Sequence, residues 1–468
     1  MSKNLQRRSF LQGTIAAGAL ASLTACAGGG TDEDSTGNAS KDTMTQADEN
    51  NPFGLAVPSE VEAVIFNGGY GISYAEFAAS VVEKIFDGVT VAVAPSTQIA
   101  QELQPRFTAG DPPDVIDNAG AGKIGLSAIV DQLEDLNEVL DAPNLEGVTI
   151  RDTLYAGVLD PGNFNGKQVS IDYVLTVFGV WYSSSLFEEN GWTPPTTWDE
   201  ALALGEQAKA AGKYLFLWGN EASSYYLEMM IASAIKEGGD EVRIALDSLA
   251  EGCWSLPAVQ SVFESVEKIV SAGYIKPGGS GTQFTAAQAQ WSNAQEALLY
   301  PSGAWIENEM KDQTKEGFAM VCTPAPTVTS SSAMPFEALH TAAAEAYLVP
   351  SQGKNPAGGK EFMRAMLSKE AAENFAATIL SPTIVKDTVP DDGFGSTALK
   401  SQIDNLAAAG DNTFTWRFAD FYGMGKDHVV AMNSFLDGQM DVAKLTSTLQ
   451  EVTDRVRNDD AIEKYEVS

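Results

Sequence analysis

Histidine and cysteine are scarce in this chain. Its 468 residues include two histidines, His340 and His428, and three cysteines, Cys26, Cys253 and Cys322. They assemble no HExxH and no cysteine set at zinc spacing, and no GxSxG is present, which argues against a zinc peptidase or a serine hydrolase. Positive charge is short too: 29 Lys and Arg stand against 63 Asp and Glu, a formal charge of −34. Such a surface keeps a chain soluble, repels nucleic acid and anionic membranes, and favours neutral or cationic ligands. There is no repeat of solenoid length and no basic run.

What is present begins at the N-terminus. Lys3, Arg7 and Arg8 form a basic head, followed by a short apolar stretch from Ile15 to Leu23 that Gly18 interrupts. That stretch is too short to span a bilayer and reads as an export signal over residues 1–25. Arg7-Arg8-Ser9-Phe10-Leu11 is similar to the twin-arginine motif. Leu23-Thr24-Ala25-Cys26 reads as a lipobox with Cys26 as the lipidated first residue of the mature chain; the simpler alternative is a secretory signal with a coincidental cysteine. Residues 26–57 are poor in apolar side chains and rich in Gly, Ser, Thr and Asp, the composition of a flexible tether. A lipid on Cys26 places the protein at the outer face of a cell membrane, where ATP and NAD are scarce. The remaining length suffices for two domains. Outside the cell, Cys253 and Cys322 form either a disulfide or two buried thiols; the sequence leaves both open.

The folded part opens as β-α-β. Val61–Phe66 is a strand, Tyr74–Phe86 a helix with Phe77, Val81, Val82 and Ile85 at helical spacing, and Val89–Val93 the next strand. A helix over Ile99–Ala109 and a third strand after "GDPPDV" follow, and the pattern predicts a long amphipathic helix over Ile124–Leu140. "SIDYVLTVFGVWYSS" holds two extended runs with no helix between them, as when a chain crosses from one lobe to another. Thr197 and Glu200 form a capping box, and Asn355-Pro356 opens a later helix. Asp111 and Asp114 read as turn and cap residues.

"DVIDNAGAGKIG" contains Gly120-x-Gly122-x-x-Gly125, the spacing of a dinucleotide loop. In such sites the motif sits in the first β-α turn, with an acid about 20 residues on. Here it follows the third strand, and Ile124 rather than Ser or Thr follows Lys123, so a phosphate loop is not expected either. Two carboxylates suffice for a glycosidase, but with 63 acids any pair is uninformative. The tryptophans say more. Trp192 and Trp198 read as structural; Trp218, Trp305 and Trp416 sit beside loop glycines or polar residues, where a flat ring with an N–H donor suits a sugar face.

With those residues in hand, the chain resembles the extracellular solute-binding lipoproteins of bacterial carbohydrate ABC importers, the large family that includes maltose-binding protein. "LQPRFTAGDPPDVI", "WTPPTTWDEALALGEQAKAAGK", "YPSGAWIENEM" and "YLVPSQGKNPAGGKEFMRAMLSKEAAENFA" carry the resemblance, which covers nearly all of the folded part. Within the family, "GVWYSSSLFEENGWTPPTTWDE", "GAWIENEMKDQTKEGFAM" and "MPFEALHTAAAEAYLVP" are most similar to receptors for N-acetylglucosamine and diacetylchitobiose. Ile171-Asp172-Tyr173 departs from the Leu-Pro pair common there, which leaves the exact sugar open.

The resemblance implies an α/β, two-lobed periplasmic-binding-protein-like fold. Each lobe is a mainly parallel sheet flanked by helices, and a multi-strand hinge joins them. Lobe one is expected at 58–172 plus 336–368, and lobe two at 173–335 plus 369–468. A neutral amino sugar or short chito-oligosaccharide is expected in the cleft, against Tyr70, Asn118, Tyr173, Thr176, Trp218, Tyr225, Trp305, Glu337, Trp416 and Arg417. The implied partners are the permease subunits of an ABC importer and, through Cys26, the membrane. A monomer without cofactor, metal, catalytic residue or nucleic-acid partner is expected. The alternatives are a receptor for another oligosaccharide or a polyol, and a surface glycoside hydrolase.

Overall fold

Twelve short strands among the described residues, followed in chain order, trace how two main sheets and one small hairpin are built. The computed structural model describes residues 47–467 apart from Ala121 and Ala156. The export signal, Cys26 and the tether up to residue 46 lie outside the described residues. β1 (Ser59–Phe66), β2 (Val89–Ser96) and β3 (Val115–Asp117) are mutually parallel, joined by the helices Ser73–Ile85 and Ile99–Ala109. A hairpin, β4 (Asn163–Phe164) and β5 (Lys167–Gln168), precedes β6 (Ile171–Val177). The chain then passes through Phe178 into β7 (Gly179–Ser183), which belongs to a different sheet. That second sheet is completed by β8 (Tyr214–Phe216), β9 (Ala297–Ser302) and β10 (Met320–Thr323), in the order β10-β7-β9-β8. The chain returns through β11 (Leu339–Leu348), which pairs with β3 and β6, and β12 (Thr413–Phe414) pairs with its start.

Most strands of each sheet run one way, as expected, with a minority reversed. β8, β9 and β10 run one way and β7 lies antiparallel between β9 and β10. In the first sheet β11, with the two-residue β12 parallel to it, runs against the other four strands. β7 and β11 are the strands that have just crossed from the other lobe. Parallel strands of a lobe end at the cleft, so a chain arriving across the cleft enters at that edge and must run the opposite way.

The first sheet is covered on both faces, which explains its near-continuous apolar strands. Val61, Ala63 and Ile65 pack with Tyr74, Ala78, Val82, Phe362, Met366 and Phe375 on one side. The alternate residue Val64 packs with Ile99, Leu103, Phe107, Ile116 and Leu348 on the other. The expected helix over Ile124–Leu140 is replaced by two single turns, Leu126–Ala128 and Val130–Gln132, and a short helix, Asn137–Asp141. Ile124, Ile129 and Leu133 belong to one side of the sheet, Leu136, Val139 and Leu140 to the other. A straight helix cannot bury both sets, so the chain wraps the sheet edge instead, with the Glu134 and Leu136 N–H groups donating to the Val349 and Gln168 carbonyls.

The capping box at Thr197 and Glu200 and the Asn355 cap with Pro356 at the first helical position both form. Asp114 accepts hydrogen bonds from the backbone N–H groups of Glu62 and Asn355, tying the turn to a strand and a helix start. The expected lobe boundary at 368 falls between two helices, Pro356–Met366 and Lys369–Ile379, that share one core. Phe375, Ile379, Ile384 and Val385 pack with the first sheet. The core of the second lobe gathers around Trp198, Trp218, Trp254, Phe263, Phe435 and Leu449. Cys253 and Cys322 are both buried free thiols. No helix among the described residues is long and apolar enough to cross a membrane.

Candidate functional site

Segments of the two lobes meet along a closed seam. The Asn308 side-chain amide donates to the Gly69 carbonyl, and Trp305 packs against the first-lobe core. Lys123 pairs with Asp420 at 3.5 Å, and Phe164 meets Phe421 at a ring-centroid distance of 5.4 Å. Arg417 Nη1 donates to the carbonyl oxygens of Asp160 and Asn163, at 2.9 and 3.3 Å. Its guanidinium lies 4.5 Å from the Tyr465 ring centroid.

Inside the seam one wall is aromatic. Tyr225 and Trp305 are 5.6 Å apart, Trp305 and Phe178 5.5 Å, Phe178 and His340 4.6 Å, and His340 and Trp416 3.7 Å between ring centroids. The last two pairs are stacked. Burial holds the His340 imidazole down to about 3, so it is neutral at every physiological pH. A small cavity beside this wall is lined by Phe178, Gly179, Tyr225, Glu228, Ser302 and His340, among others. Ser302 Oγ, His340 Nδ1 and Glu228 Oε2 have no hydrogen-bond partner.

A second wall, from the first lobe, is polar. The hydroxyls of Tyr70, Thr176 and Ser381 lie beside one another, all from buried residues, close enough to act on one another but with no well-formed hydrogen bond to any of the three. Buried polar atoms are almost always satisfied, so a group of bare ones facing a seam marks a place for a ligand's own donors and acceptors. Next to them stand Asp117 at the end of β3, Asp172 in β6 and Glu345 in β11. Tyr347 donates to Tyr74 and Tyr74 to Asp117 Oδ2, leaving Oδ1 bare. Glu345 has φ of +58°, a left-handed backbone rare for a side-chain-bearing residue inside a strand. Such strain concentrates at functional sites. Burial raises Asp172 to about 6 and Glu228 to about 8. It raises Asp117 and Glu345 as well, each also acting on the other. Lys123 is held protonated, first by the Asp420 charge.

Of the residues expected from sequence, Tyr70, Thr176, Tyr225, Trp305 and Trp416 stand on these walls. Asn118 is buried and its amide closes the glycine loop: Nδ2 donates to the Ile124 carbonyl at 2.8 Å and Oδ1 accepts the Ile124 N–H at 2.7 Å. Tyr173 lies in the first core against Tyr74, Tyr347 and Phe375. Trp218 is 2 % exposed in the second core, with Nε1 donating to Asn433 Oδ1 at 3.1 Å. Glu337 is exposed and acts on the buried Lys236. Arg417 bridges the lobes rather than presenting its charge to the cleft. Trp198 is buried, donating to Ser233, and Trp192 packs on Phe187, both structural as expected.

Sequence reasoning did not single out Asp117, Lys123, Asp172, Phe178, Glu228, Glu345 or Ser381, although the resemblance implied that the "DNAGAG" segment beginning at Asp117 lines the cleft. A signal existed for three of them: "VID", "SIDYVL" and "AEAYLV" each place a single acid inside an apolar strand, and an acid there is rare without a role. The glycine motif has a packing reason. Gly120 has φ of +78°, and a Cβ on it would lie 2.3 Å from the Phe66 ring.

The comparisons with known proteins agree with this geometry. A family model described as bacterial extracellular solute-binding protein matches residues 73–373. The diacetylchitobiose binding protein NgcE of Streptomyces coelicolor is 54% identical over 465 residues, covering 99% of both chains. A multiple sugar-binding protein of Streptococcus mutans is 24% identical over 45% of this chain and 49% of its own length. Among solved structures, a chitin oligosaccharide binding protein superposes with a TM-score of 0.68 at 17% identity, over 85% of this chain and 99% of that one. The raffinose complex of RafE gives 0.64 at 19% identity, over 84% of this chain and 100% of that one. At those identities the structures bear on the fold, which they share as two-lobed sugar-binding proteins. The chain belongs to the bacterial extracellular solute-binding protein family.

Proposed function

We propose that this protein is the receptor of a carbohydrate ABC importer, capturing N-acetylglucosamine or short chito-oligosaccharides, diacetylchitobiose above all, between its lobes. The observation that carries the reading is the pairing of an aromatic wall, Trp305 with Tyr225, and a wall of bare hydroxyls, Tyr70, Thr176 and Ser381. A pyranose has an apolar C–H face and a rim of hydroxyls, and these walls complement both. The relative that covers the whole length of this chain, a diacetylchitobiose binding protein, supports the choice of sugar.

The mechanism is capture without bond-making. In the open form each lobe offers half of the contacts. Sugar bridging the walls favours closure because only the closed state makes both halves. Arg417, Lys123–Asp420 and Phe164–Phe421 then hold the rim. Lobe one comprises 58–177 with 339–385, and lobe two the segments between and after. The closed form is delivered to a membrane permease by a monomer tethered through the lipid on Cys26. Titrating the purified protein with N-acetylglucosamine, diacetylchitobiose, maltose and xylobiose tests this. Micromolar or tighter binding is expected for the amino sugars, and absence of heat with all four sugars removes the carbohydrate reading.

A further inference from the structure

The polar wall holds more carboxyl groups than a neutral sugar can use. Asp172 and Glu345, and Glu228 from the aromatic side, all feel the charge of Lys123, which is already paired with Asp420; Asp117 stands against Glu345. Asp117 is fully buried, and its Oδ1 is bare because the Tyr347–Tyr74 relay occupies only Oδ2. Glu345 is held in a left-handed backbone with Oε2 bare beside it. The fringe of this pair is independently unfinished: Tyr70, Thr176 and Ser381 are each more than nine-tenths buried, each with a bare hydroxyl, and Tyr70 faces Glu345.

A hydroxyl donor satisfies one lone pair and leaves the two carboxyls able to close only around a shared proton. An ammonium brings three donors and a positive charge that lets both carboxyls ionise. We infer that the cleft recognises a protonated amine, so that its ligands include chito-oligosaccharides bearing at least one unacetylated amino group, whose ammonium sits between Asp117 and Glu345. This rests on the cleft being a chito-oligosaccharide site and names a ligand class within it. With a fully acetylated sugar the same two carboxyls close only by retaining a proton between them. With the amine, the ammonium stands where that proton stood.

The test is calorimetry on the mature chain at pH 6 with two probes, diacetylchitobiose and the fully deacetylated glucosamine dimer. The dimer is expected to bind within about tenfold of diacetylchitobiose. Glu345→Gln, and separately Asp117→Asn, should each cost the amine at least about tenfold more affinity than they cost the acetylated sugar, the scale of a charge-assisted hydrogen bond. A melting curve for each variant shows that it folds, and either variant alone suffices. Deacetylated dimer bound more than tenfold more weakly than diacetylchitobiose, or variants that weaken both sugars alike, overturn the inference and leave the receptor reading standing. Binding of neither sugar overturns both.

Discussion

Arg417 donates to the Asp160 carbonyl at 2.9 Å, so the guanidinium of one lobe is fastened to a backbone oxygen of the other. A planar fork with several donors suits two adjacent carbonyls better than an ammonium does, and Arg417 reaches Asn163 as well. These contacts exist only when the lobes are together. Arg417→Ala is therefore expected to weaken sugar affinity by about tenfold, the effect of about 1.5 kcal/mol from a charged hydrogen bond, mainly through faster release. Stopped-flow dissociation measures it; an unchanged off-rate contradicts the assignment. Arg417→Lys should recover little.

Two tryptophans that look alike in the sequence should behave oppositely. Trp305→Ala removes part of the aromatic wall and should cost about 100-fold in affinity with a small change in melting temperature. Trp218→Ala empties a fully packed core position and should cost about 3–5 kcal/mol of stability. Measuring both quantities on both variants separates wall from core. A large stability loss for Trp305→Ala would place it in the packing instead.

That contrast shows what the sequence made legible. The β-α-β start, the capped helices at Thr197 and Asn355 and the two extended runs around Phe178 follow from periodicity and cap chemistry, and each forms. The crossing itself falls at Phe178 rather than after residue 172, because β6 up to Val177 still pairs with β11 of the first sheet. The wrapped segment after Ile124 does not follow from periodicity, because its apolar residues serve two faces of one sheet, which local spacing does not encode. In the site, Trp305 and Trp416 were legible as aromatics at loop edges. Trp218 shares that pattern and is core, since only the fold decides whether such a loop opens to the cleft or folds under Gly279. Asp117 and Glu345 come together from strands far apart in sequence, and nothing local announces their pairing.

Affinity for a neutral sugar should fall as pH rises. In the closed form, burial lifts Asp172 to about 6, where Ser170, Lys123 and Asp420 face it. It lifts Glu228 to about 8, with Asp420 and Lys123 facing it. Opening the cleft returns both toward ordinary carboxyl values, so closure takes up protons. The favourable contribution is whole below the ordinary carboxyl range and is lost progressively as pH rises through about 6 and then about 8. Diacetylchitobiose is expected to bind more weakly at pH 8.5 than at pH 5, with net proton uptake near pH 7 seen as a buffer-dependent heat. A flat profile contradicts the closed-cleft environment of these acids.

The glycine motif predicts a packing phenotype and no nucleotide affinity. Gly120→Ala places a methyl against the Phe66 ring and strains a positive φ, and should destabilise by about 1–3 kcal/mol. Neither ATP nor NAD should raise the melting temperature of the native protein. Nucleotide-dependent stabilisation that disappears in Gly120→Ala would reverse this reading.

The most direct measurement is a crystal structure grown with diacetylchitobiose. It should show one disaccharide between the lobes, with a pyranose face on Trp305 and Tyr225 and hydroxyls or acetamido groups on Tyr70, Thr176 and Ser381. Sugar held elsewhere on the surface, or an empty cleft at concentrations that saturate binding in solution, would contradict it.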